Sequence, residues 1–70
     1  MKNKLLLDKT IYSRKDIEIA VQAFAELAKI EIVETFKYWE LEFKECLYNE
    51  ERTKKEFENY LIDYINSKGE

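Results

Sequence analysis

Between Trp39 and Lys44 the chain reads WELEFK, with Trp39, Leu41 and Phe43 alternating with Glu40, Glu42 and Lys44. A period of two puts these sets on opposite faces of an extended strand, and no helical face gathers the three apolar residues. This strand constrains the rest of the chain, because a strand with one apolar face must pair within a sheet and bury that face under a cover. Just upstream, IEIVET (residues 30–35) alternates Ile30 and Ile32 with Glu31 and is rich in β-branched residues. The two runs predict an antiparallel hairpin that turns within residues 34–38, although no Gly, Asn or Pro marks the turn. The competing arrangement is one long helix from Ser13 past Trp39, its stripe continued by Ile30, Val33 and Phe36.

On either side of the hairpin the spacing is helical. Residues 49–68 place Phe57, Tyr60, Leu61, Tyr64 and Ile65 at i, i+3, i+4, i+7 and i+8, one apolar stripe on a helix. Asn49 is the expected N-cap, and Glu50 and Glu51 suit the positive end of the helix dipole as Lys68 suits the negative end. Glu50–Lys54 and Glu51–Lys55 have the spacing of supporting ion pairs, and Gly69 can end the helix. Nearer the N-terminus, Ser13 stands as N-cap to a helix from Arg14 to about Lys29, with Asp16 at the capping-box position. Tyr12 and Ile17 are spaced as a hydrophobic staple, and Ile17, Ala20, Val21, Phe24, Leu27 and Ala28 form the stripe to be buried. Before it, residues 5–12 read as a first strand, with Leu5, Leu7 and Ile11 on one face and Leu6, Asp8, Thr10 and Tyr12 on the other.

The order β-α-β-β-α is that of a two-layer α+β domain. A β-α-β crossover makes the first two strands parallel, and the third can return between them, giving a three-stranded sheet of order 1-3-2 covered on one face by two helices. The first strand is then an open edge, on which Lys4 and Lys9 are charges of the kind that discourage aggregation. Seventy residues make a single small domain, residues 1–70, whose core supplies only about 3–5 kcal/mol without a staple. The chain has one cysteine, Cys46, and no histidine, so disulfide, zinc and histidine-dependent catalysis are not expected. We expect no cofactor, no metal and no enzymatic activity of its own. A net charge of −3 with no basic face disfavours nucleic acid, and three leucines before Asp8 are too few for a signal peptide or a membrane span. A cytoplasmic life fits the lone thiol.

IYSRKDIEIAVQAFAEL (residues 11–27) and EFENYLIDY (residues 56–64) together resemble the HxsD-like family, small accessory components of His-Xaa-Ser peptide maturation systems. The similarity lies in a strand ending in Tyr-Ser followed by an Ala-rich helix, and in a last helix carrying Phe57, Asn59, Leu61 and Asp63 at the family's spacing. The resemblance implies a non-catalytic protein working beside radical-SAM enzymes and binding a ribosomal precursor peptide or a partner enzyme. The iron–sulfur chemistry would belong to those enzymes.

A sheet covered on one side presents its other side to solvent. Leu6, Tyr12, Val33, Thr35 and Tyr38 make that side more apolar than solubility requires, so Leu6, Asp8, Thr10, Tyr12, Val33 and Tyr38 are the candidate partner-binding residues. The alternative is a self-assembling homodimer in which two first strands pair edge to edge. Glu31, Glu40 and Glu42 share the outer face as solvated charges. Asn59 and Asp63 lie on one helical face, either as a polar contact or as a helix-boundary pair. Cys46 is expected as a small buried or half-buried filler, with Leu47 and Tyr48 packing the start of the last helix. Arg14 and Lys15 oppose the dipole at the first helix's start, as tolerated surface charge or as a contact for an acidic partner.

Overall fold

A computed structural model describes residues 4–68. The elements run β1 (Lys4–Asp8), α1 (Arg14–Ala23), β2 (Lys29–Glu34), β3 (Tyr38–Lys44) and α2 (Glu50–Lys68). The sheet order is β1-β3-β2, with β3 antiparallel to both neighbours. The protein is thus an α+β fold with the predicted arrangement, and the long-helix alternative is excluded.

Alternation along β3 sets the layers. Trp39, Leu41 and Phe43 are buried, and they share one core with Leu7 from β1, Ile17 and Ala20 from α1, and Phe57 and Leu61 from α2. Both helices therefore cover the same face. Phe57 joins the layers: its ring meets Phe43 edge-on at 5.4 Å and Phe24 at 5.3 Å. Burial of each such side chain stabilises the fold by about 1.5–3 kcal/mol. Ile30, Ile32, Leu27, Val21 and Ile65 pack half-buried around this centre.

The hairpin turns without glycine because Thr35 takes its place. The Thr35 hydroxyl donates to Tyr38 O (2.9 Å) and accepts from Tyr38 N (3.0 Å), while Thr35 N donates to the same carbonyl (2.9 Å). Among the described residues, the one in the left-handed region is Glu45 (φ 50°), where the chain leaves β3.

Both predicted caps form. Ser13 Oγ accepts from Asp16 N (3.2 Å) and Asn49 Oδ1 accepts from Arg52 N (3.0 Å). Asp16 does not close a capping box: its buried carboxylate instead takes Lys68 Nζ at 2.6 Å, tying the start of α1 to the last turn of α2. On α2, Lys54 pairs with Glu51 (3.8 Å) and Arg52 with Glu56 (3.4 Å). Gly69 lies outside the described residues.

Four expectations are corrected. First, β1 ends at Asp8 rather than running to residue 12, because Asp8 Oδ1 accepts from both the amide (2.8 Å) and the hydroxyl (2.7 Å) of Thr10 and bends the chain into a turn. Second, that turn reverses the sides of the next two residues: Ile11 is 67% exposed, whereas Tyr12 packs half-buried against the core. Third, α1 ends at Ala23, and residues 24–27 continue in tighter turns, Ala25 N to Gln22 O and Leu27 N to Phe24 O, before Lys29 opens β2. Those turns keep Phe24, Leu27 and Ala28 on the core side, so the stripe is preserved though the helix is not. Fourth, Leu47 and Tyr48 are exposed rather than packed.

Candidate functional site

Strand register places the outer face in rows. Lys4, Glu42 and Glu31 lie side by side across β1, β3 and β2, followed by Leu6, Glu40 and Val33, and then by Asp8 beside Tyr38. Neither helix covers this face. Leu6 (57% exposed), Val33 (45%) and Tyr38 (41%) stand open on it, and Phe36 at the hairpin tip is 92% exposed. The charges around them are internally matched: Lys4 Nζ meets Glu40 at 2.9 Å and Lys44 meets Glu31 at 3.2 Å. The hydrogen bond to Glu40 raises the Lys4 pKa, and the Thr10 hydroxyl, with its amide, lowers that of Asp8.

The structure brings together four of the six candidate residues and separates two. Leu6, Val33, Tyr38 and Asp8 share the outer face. Thr10 is spent on the turn after β1, and Tyr12 turns inward, its carbonyl accepting from Trp39 Nε1 at 2.9 Å. Thr35, also expected on the face, forms the turn instead. Phe36 was overlooked as a surface residue because its spacing fits a continued helical stripe. Its position in a turn with no core within reach was the signal that could have exposed it.

The hydrogen-bond phase decides which edges are open. Lys9 N donates to Lys37 O (3.1 Å), in register with Leu7–Trp39, so the odd residues of β1 bond to β3 and Lys4, Leu6 and Asp8 point their backbone groups outward. Two of those three are occupied. Lys4 O accepts from Lys54 Nζ (3.4 Å), and Asp8 O accepts from Ile11 N and Tyr12 N. On β2, Thr35 N to Tyr38 O sets the opposite phase, leaving the amides and carbonyls of Ile30, Ile32 and Glu34 directed away from β3. The first strand, expected as the open edge, is thus partly occupied, and β2 is the less obstructed one.

Below the sheet's hairpin end, Trp39 is flanked by cations, Lys9 Nζ at 4.9 Å and Arg14 at 5.8 Å from the ring centre. Lys9 also binds Glu34 (2.6 Å), lowering that carboxyl's pKa, and the Thr35 carbonyl (3.0 Å). Arg14 pairs with Glu18 at 2.8 Å, which accounts for a cation at the start of α1. Asn59 and Asp63 are exposed on α2.

Burial pushes the Cys46 thiol upward in pKa, Glu50 adds to the shift, and Thr53 only partly opposes it, so the thiolate is disfavoured. Among the described residues, no three of His, Cys, Asp and Glu converge as a metal site requires. A cleft of about 420 Å³ is lined by Phe24, Leu27, Tyr48, Arg52, Thr53 and Glu56; there the Thr53 hydroxyl donates to Asn49 O and Glu56 pairs with Arg52. Among the described residues, no helix is long and apolar enough to cross a membrane. No protein-family model, curated protein or solved structure matches this chain.

Proposed function

We propose that this chain is a non-catalytic binding module that receives a partner polypeptide on the helix-free face of its sheet. The observation that carries this reading is the run of Leu6, Val33, Tyr38 and Phe36, four large apolar residues exposed on or beside one face while the opposite face is closed by two helices. Aromatic and aliphatic anchors within a rim of matched charges have the composition of a protein interface. The resemblance of residues 11–27 and 56–64 to HxsD-like proteins supplies the biological setting. In that setting the partner is the precursor peptide, or the radical-SAM enzyme, of a ribosomal-peptide maturation system, and this chain positions one for the other.

The test is an isotope-edited NMR titration with the precursor peptide and the enzyme encoded beside this gene. Shifts concentrated at Leu6, Val33, Phe36 and Tyr38, and their loss in a Phe36→Ser/Tyr38→Ser variant, are expected. Binding that perturbs only α2, or no binding to either, overturns the reading.

A further inference from the structure

We infer that β2 is an assembly edge, at which a second copy of the chain pairs antiparallel about a two-fold axis through Ile32 and joins two three-stranded sheets into one. This goes beyond the proposed partner surface, which is the face of the sheet rather than its edge.

Three residues of β2, Ile30, Ile32 and Glu34, direct amides and carbonyls away from β3. No partner for these groups occurs among the described residues, and the strand carries no proline and an unbroken register along β3. Such an edge is a template for another strand. The chain's own β2 fits it in one register. With Ile32 opposite Ile32 of the partner subunit, Ile30 faces Glu34 of the partner subunit, and all three outward residues on each strand bond. On the outer side Glu31 then faces Val33 of the partner subunit, and no like charges oppose each other. A shift of two residues toward the N-terminus sets Glu31 against its own copy and brings Glu34 opposite Ala28, whose amide is already bonded to Phe24 O. A shift the other way leaves Ile30 outside the ladder.

The flank of α1 supports the same occupant. Val21, Gln22 and Glu26 line a cleft with Lys29 and Ile30 along this edge, and Ile30 and Ile32 are only half-buried in one copy. A two-fold axis runs the two α1 helices antiparallel, setting the Lys15 end of one beside the Glu26 end of the other. Among the described residues neither Lys15 nor Glu26 forms an ion pair, so the two charges complement each other across the axis.

Sedimentation and light scattering over a dilution series should give twice the chain mass, falling to one on dilution. In a Cys46→Ser background, Ile32→Cys should oxidise to a cross-linked dimer, because directly hydrogen-bonded partners bring Cα atoms to about 5.5 Å, within disulfide reach. Leu6→Cys, on β1, should not cross-link. Ile32→Pro removes an amide that takes no part in the β2–β3 ladder and should weaken dimerisation by about tenfold or more, whereas Ile32→Ala, which keeps the amide, should weaken it less. A wild-type chain monomeric throughout the series overturns the inference, as does cross-linking at residue 6 in place of residue 32. Should Ile32→Pro fail to fold, the paired cysteine experiment still decides. Loss of the dimer with precursor binding intact would leave the proposed function standing, and the reverse result would leave the dimer standing.

Discussion

A single hydroxyl does at Thr35 what glycine or asparagine does in most tight hairpins. Its three contacts with Tyr38 close the loop with ordinary negative φ values, which is why residues 34–38 hold a turn with no conventional turn residue. Thr35→Val keeps the branched shape but removes the hydroxyl, and should lower stability by about 1–2 kcal/mol in urea unfolding. Glu45 is the converse case, a side chain held at φ 50° where only glycine is free of steric cost. Glu45→Gly should leave stability unchanged or raise it by up to about 1 kcal/mol, and Glu45→Val should lower it by about as much, read as opposite movements of the thermal midpoint. Neither feature is visible in composition. The reversal of Ile11 and Tyr12 was equally hidden: period-two spacing assigns faces only while the strand lasts, and the Asp8–Thr10 bonds end it early.

At the level of elements, patterning was the more dependable guide. The alternation of Trp39, Leu41 and Phe43 located the central strand, and the spacing of Phe57 and Leu61 located the covering face of α2. Caps at Ser13 and Asn49 formed where the residue types predicted them. The length of α1 was not legible, since apolar residues spaced three and four apart serve equally in an α-helix and in the short turns that replace it after Ala23. Phe57 binds the elements together through its edge contacts with Phe24 and Phe43. Phe57→Ala should cost about 3–5 kcal/mol, comparable to the whole stability of a domain this small, so the variant should be largely unfolded by circular dichroism. Tyr60→Ala, losing a ring that is 39% exposed, should stay folded.

Taken whole, the molecule is pinned at both ends of its pH range by groups on its periphery. Glu34, through its hydrogen bond to Lys9, and Asp8, through Thr10, have pKa values below those of the unfolded chain. The unfolded chain therefore binds more protons as the pH drops, and their stabilisation, complete above the unfolded values, drains away through the folded ones, below about pH 4.5. Lys68, raised chiefly by its hydrogen bond to Asp16, and Cys46, raised by burial, work in the opposite sense. Their contributions are complete below the unfolded pKa values and are lost as pH climbs through the folded ones, above about pH 9. Urea midpoints should fall at both extremes, and Lys68→Met should reduce the alkaline decline. The sheet order has one more consequence. The strand in the middle is the last of the three to be made, so β1 leaves the ribosome with no neighbour to join until some thirty residues later. The local β2–β3 hairpin is therefore expected to form first, with the N-terminal strand joining it last. Amide exchange should find Leu5 and Leu7 the first ladder positions to open.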